Sequence, residues 1–116
     1  MKLEREQTLL RVHLDNSEQW RTAPLYEALV ERARRTRLAG ATVLAGAYGY
    51  VGSGPLVGDH AGALRTEHPV VIEIVDGEAA LLEFLEVVEP MLAGRSVLVT
   101  LERAQVVRYR SGAGAP

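Results

Sequence analysis

The chain has no cysteine, which excludes disulfide bonds and thiolate metal sites and fits a reducing compartment. It has no excess of positive charge either. Thirteen Lys and Arg stand against fifteen Asp and Glu, a net charge of −2, which argues against a dedicated nucleic-acid binder. No apolar run approaches the roughly 20 residues that a membrane-spanning helix needs. The opening residues MKLEREQ lack the apolar stretch of a signal peptide, so a cytoplasmic protein is expected. Catalytic signatures are missing as well. There is no Gly-Lys-Ser/Thr phosphate loop and no G-x-S-x-G elbow, and no H-x-E or H-x-x-x-H pair is present.

What is present is ordinary globular material. Of 116 residues, 47% are hydrophobic and 24% charged, enough for one domain with one core. TLLRVHLD alternates, with Leu10, Val12 and Leu14 on one face and Leu9, Arg11 and His13 on the other, the pattern of a half-buried strand. A helix follows, with Thr22 as its expected cap and Pro24 in its first turn. Leu25, Ala28, Leu29 and Ala33 form its apolar stripe, and Glu27, Glu31, Arg34 and Arg35 face outward. Gly40 is the expected left-handed residue closing it. ATVLAGAYGYV reads as a long second strand, and PVVIEIVD as a third with five β-branched residues in eight. Asp76 is expected to cap a second helix striped by Leu81, Phe84, Leu85, Val88 and Leu92, with Glu78 in its first turn. SVLVTLERAQVVRYR reads as two short strands or one bent strand broken near Glu102, and residues 111–116 as a flexible tail.

This βαββαβ order is the α+β, ferredoxin-like arrangement: one antiparallel sheet with two helices on one face, in a single domain of residues 1–110. Val71 and Val75 oppose Val70, Ile72 and Ile74, so the face away from the helices is apolar too. A sheet buried on both sides in so small a domain must meet another subunit.

Seven of the eleven glycines fall between residues 39 and 64 (Gly40, Gly46, Gly49, Gly52, Gly54, Gly58 and Gly62). The G-x-x-G-x-x-G spacing of Gly46, Gly49 and Gly52 is not a dinucleotide fingerprint, and the stretch leads into a strand and not a helix. It reads as a mobile connection over about residues 52–66. His13, His60 and His68 show no ligand spacing, and Ser17, Ser53, Ser96 and Ser111 have no histidine at a signature distance. Asp15, Glu73 and Asp76 are the carboxylates that acid–base chemistry could use. Glu73 stands in the most apolar strand, where an unpaired carboxylate is costly, so it is expected at a subunit boundary or beside an arginine. Arg95 follows Gly94, Arg103 comes next, and Arg108 and Arg110 share a strand face. Those guanidinium groups fit two readings: a bidentate phosphate clamp, or a solvated strand edge guarded by charge.

PLYEALVERARRTRLAGATVLAGAYGYVGS, then HPVVIEIVD and VTLERAQVVRY, resemble the PII-like proteins of domain of unknown function family 190, from about residue 8 to 110. The resemblance implies a trimer with its sheets turned inward, some members being linked to fluoride-exporter genes. The last third is similar to PII signalling proteins, in which a glycine and a basic residue precede the final strand and two arginines end it. Gly94, Arg95, Arg108 and Arg110 match those elements, and the loop from Gly52 to Thr66 occupies the place of the PII effector loop. It departs from the family in reading GSGPLVGDHAGAL, with only Arg65 basic. Tyr48 and Tyr50 lie on the strand leading in, not at the loop tip. The resemblance thus implies a non-enzymatic regulator that senses an adenine nucleotide or related anion between subunits. Its candidate ligand residues are Gly46, Gly49, Gly52, Gly94, Arg95, Arg108 and Arg110. The loop would meet a membrane transporter or an enzyme; the rival reading is an accessory trimer for a transporter, without a small-molecule ligand.

Overall fold

The computed structural model of the chain describes residues 5–59 and 66–112. Among the described residues, the elements of the main sheet and its two helices follow in the order β1 (Arg5–Asp15), α1 (Leu25–Arg35), β2 (Thr42–Ala45), β3 (Pro69–Asp76), α2 (Glu78–Leu92) and β4 (Leu98–Val106). The strands form one antiparallel sheet in the order β2-β3-β1-β4, the ferredoxin-like order. Leu10, Val12 and Leu14 of β1 and Val70, Ile72 and Ile74 of β3 face the helices. They pack with Leu25, Leu29 and Ala33 of α1 and Leu81, Phe84, Val88 and Met91 of α2. Full burial of each such leucine stabilises the fold by roughly 1.5–3 kcal/mol. The expected stripes are therefore the ones that form the core, with Leu85 and Leu92 at its margin. β4 is one continuous strand through Glu102, so the break expected there is absent: every residue from Leu98, opposite His13, to Val106, opposite Arg5, keeps one unbroken register with β1.

The helix ends differ from expectation. Thr22 does not cap α1. It lies in the turn of a two-residue ladder that pairs Gln19–Trp20 with Ala23–Pro24, and Pro24 is the capping residue, with no side-chain bond. The Leu25 amide donates instead to the Glu18 carbonyl at 2.8 Å, so a chain reversal sets the entry to the helix. At the other end Arg37, with φ of 62°, takes the left-handed position expected of Gly40. Asp76 is the last residue of β3, and Gly77 is the cap of α2. The Asp76 carboxylate, only 5% exposed, accepts the Gly77 amide at 2.7 Å and the Ala39 amide at 2.8 Å. It staples the α1–β2 connection to the end of β3.

The long second strand is shorter than its pattern. Only Thr42–Ala45 pairs with β3; the chain then turns away, with the Gly46 amide donating to the Pro69 carbonyl at 2.7 Å. Tyr48–Gly49 pairs with Val57–Gly58 in a separate hairpin, and Val57 is fully buried. The first half of the expected arm is thus folded back to Asp59, whose amide donates to the Ala47 carbonyl. Residues 60–65, His60, Gly62 and Arg65 among them, lie outside the described residues, as does the tail after Gly112.

Gly58 makes this hairpin possible. Its φ is +110°, and a Cβ there would stand 2.2 Å from the Ala47 carbonyl oxygen. Gly58→Ala is expected to destabilise the protein by about 1–3 kcal/mol, read as a lower urea midpoint. Gly40→Ala, where nothing lies within 4 Å of the added atom, is expected to leave it unchanged. Equal midpoints for both would show that the hairpin is not held in solution.

Candidate functional site

Among the described residues, no helix covers the face of the sheet away from α1 and α2. The registers lay Leu44, Val71, His13 and Leu98 in one row and Thr42, Glu73, Arg11 and Thr100 in the next. Leu44 and Leu98 are about half exposed, at 49% and 52%. At the centre of this apolar surface Arg11 Nε donates to Glu73 Oε2 at 2.9 Å, and Arg11 Nη1 donates to Glu102 Oε1. The bond to Glu73 is the main reason that the Arg11 pKa rises above its ordinary value. Glu73, the odd charge of β3, therefore has an arginine partner.

The seven candidate ligand residues divide between the two ends of the sheet. Gly46 and Gly49 lie against Pro69 at the start of β3, and Gly52 lies against Ser96, two residues after Gly94. Gly94 has φ of +77° with open space around it, so its backbone angle, not crowding, calls for glycine. It turns the chain from α2 into β4 and sets Arg95 beside the first turn of the chain. Arg95 Nη1 donates to Glu18 Oε1 at 2.9 Å, Nε donates to the Met91 carbonyl at 2.8 Å, and the guanidinium lies 6.0 Å from the Trp20 ring centre. Within one chain this arginine acts as a brace.

Arg108 and Arg110 stand at the far end. β4 runs from Leu98, opposite His13, to Val106, opposite Arg5. Its nine residues, eight steps of about 3.4 Å each, put roughly 27 Å between its ends. The two arginines lie beyond the last ladder residue and not on the strand, both exposed, with Tyr109 half-buried between them. Tyr109 Oη donates to the Ala39 carbonyl at 3.2 Å. Its ring lines an open groove of about 390 Å³ together with Leu9, residues 39–42, Glu73 and Val75. Gly40 thus borders a groove and does not cap a helix. No single chain brings Arg95 to Arg108 and Arg110.

Sequence reasoning passed over Tyr109, although R-Y-R in an extended segment puts the ring opposite the two guanidinium groups. It also missed the double role of Asp76, because a carboxylate ahead of a helix reads first as a cap. Among the described residues no cluster of three or more His, Asp or Glu could hold a metal, and no helix is long and apolar enough to cross a membrane.

Residues 7–106 match the profile of the DUF190 family, described as "Uncharacterized ACR". A UPF0166 protein of Aquifex aeolicus (strain VF5) is 35% identical over 99 residues, covering 85% of this chain and 91% of that one. The fold is similar to that of CPII, a nitrogen regulatory PII-like protein from Thiomonas intermedia K12 solved with ADP, AMP and bicarbonate. The TM-score is 0.67 at 19% identity, over 89% of this chain and 90% of that one. It is also similar to a putative PII-like signalling protein from Thermus thermophilus, with a TM-score of 0.64 at 17% identity, over 90% and 94% of the two chains.

The Arg95 brace is open to a direct check. Glu18→Ala is expected to cost about 1 kcal/mol, the range of a partly exposed ion pair. Arg95→Ala should cost more, since the bond to the Met91 carbonyl goes too. A double-mutant cycle in urea should return a non-zero coupling; strict additivity would mean that the pair does not form in solution.

Proposed function

The chain belongs to the DUF190 family, and from that premise we propose that it is a non-enzymatic, PII-like regulatory protein that binds an adenine nucleotide or related anion between subunits. One observation carries this reading. The candidate anion-binding residues Gly94 and Arg95 on one side and Arg108 and Arg110 on the other lie at opposite ends of β4, beyond reach of each other in one chain. A site that uses both groups therefore needs a second copy, with the end of one strand beside the start of the next. The open sheet face supplies the reason for assembly: Leu44, Val71 and Leu98 stay exposed or half-buried with no helix over them. Three copies with these faces turned inward cover them, and each boundary forms one clamp. The groove beside Tyr109, about 390 Å³, lies at the opposite end of that face from Leu44, Val71 and Leu98, next to the segment that carries Arg108 and Arg110. It has room for the base of a nucleotide. Fold neighbours that hold ADP and AMP support the choice of ligand class.

The hairpin from Tyr48 to Gly58, with the residues beyond it up to Thr66, is the arm offered to a partner enzyme or transporter. A second reading draws on Arg95, which is already bonded to Glu18 and the Met91 carbonyl. It is an accessory trimer for a membrane transporter, without a small-molecule ligand.

Two measurements test the proposal. Native mass spectrometry at low micromolar concentration is expected to show mainly three copies. Val71→Asp, which places an unpaired charge on the covered face, is expected to yield monomers. A dominant wild-type monomer or dimer would rule out the inward-facing trimer. Calorimetry with ADP is expected to give binding that Arg108→Ala weakens roughly tenfold or more, the effect of losing one charge-assisted bond. Arg35→Ala, on the exposed face of α1, should bind as the wild type does. No binding of ADP or AMP by the wild type would leave the accessory reading in place.

A further inference from the structure

We infer that Tyr109 is the positioning residue of the anion site: its hydroxyl bond to the Ala39 carbonyl fixes where Arg108 and Arg110 stand, while its ring walls the space for the base. The inference rests on the nucleotide reading above and adds to it a residue for which neither composition nor motif gave a role. β4 makes its last ladder pairing at Val106, so no strand partner aims the two arginines that follow. Val107 is 87% exposed, and Arg108 and Arg110 are exposed as well. Tyr109 is half-buried and reaches across to Ala39 at 3.2 Å, seventy residues away in sequence. Without that anchor each guanidinium would have to be ordered when the anion binds, at an entropic cost that lowers affinity.

The anchor point is itself rigid. The Ala39 amide is held by the buried Asp76 carboxylate at 2.8 Å, so the peptide groups on either side of Ala39 are fixed, one by the end of β3 and one by Tyr109. Tyr109 lines the groove together with Leu9 and Val75. A flat heteroaromatic base between an aromatic ring and two aliphatic side chains buries its apolar faces on both sides. The hydroxyl and the ring thus serve different parts of one ligand.

That division sets the experiment. Titration calorimetry with ADP and with adenosine, which has the base but no phosphate, separates the two roles in the full chain. Tyr109→Phe keeps the ring and loses the bond; it is expected to weaken ADP by about five- to tenfold and adenosine by less than about twofold, as the loss of one neutral hydrogen bond allows. Tyr109→Ala removes both, and should weaken adenosine as well as ADP. Hydrogen exchange at Ala39, whose amide bonds to Asp76, should stay slow in Tyr109→Phe, showing that the connection remains folded. Unchanged ADP affinity in Tyr109→Phe, or an equal loss for ADP and adenosine, would overturn the positioning role and leave the nucleotide reading intact. A wild type that binds no ADP would overturn both.

Discussion

The structure depends on the register of β1, which is paired along both edges. Leu10 stands opposite Ile74 on one side and Leu101 on the other, and Arg11 stands opposite Glu73 and Thr100. Strand side chains alternate with a period of two, so a slip of one residue would turn Leu10, Val12 and Leu14 to the open face and Arg11 into the core. The core packing forbids that slip from one side. The ion pairs of Arg11 with Glu73 and Glu102 oppose it from the other, since they form only where those side chains share a face. With β1 fixed, β3 and β4 are fixed, and with them the ends of the sheet where every candidate ligand residue lies. Two helices can cover one face of such a sheet, and the other stays open.

Elements were legible where the hydrophobic pattern alone dictates them. PVVIEIVD is a strand because its residues are β-branched, and the stripes Leu25-Leu29-Ala33 and Leu81-Phe84-Val88 lie inward because the helical period puts them there. Boundaries were not legible, because partners distant in sequence decide them. Thr22 loses the capping position to a chain reversal held by Glu18, and Asp76 divides its carboxylate between the amides of Gly77 and Ala39. The second strand stops at Ala45 although Ala47, Tyr48 and Tyr50 continue a strand-like pattern, because the Pro69 carbonyl captures Gly46 and starts a turn.

For the site, the residue types were readable and their grouping was not. Arg95, Arg108 and Arg110 stood out as guanidinium groups near a glycine turn, but spacing along a chain does not show that an extended strand holds them apart. The glycines likewise serve distinct needs. Gly58 avoids a clash with the Ala47 carbonyl, Gly94 takes a left-handed turn, and Gly46 lies tight against Pro69. A count of glycines between residues 39 and 64 takes Gly46 and Gly58 as parts of one flexible stretch.

The strand order leaves β2 and β4 as the two margins of the sheet, and their lengths differ greatly: four residues against nine. An unpaired margin of nine residues is a template for any other extended chain, and the usual outcome of leaving one bare is fibrous or amorphous precipitation. Here that margin carries Glu102 and Arg103 in succession at its middle, both exposed. A strand adding in either direction must desolvate one charge on each side of the sheet. β4 thus favours a neighbour that brings matching charges over one that does not.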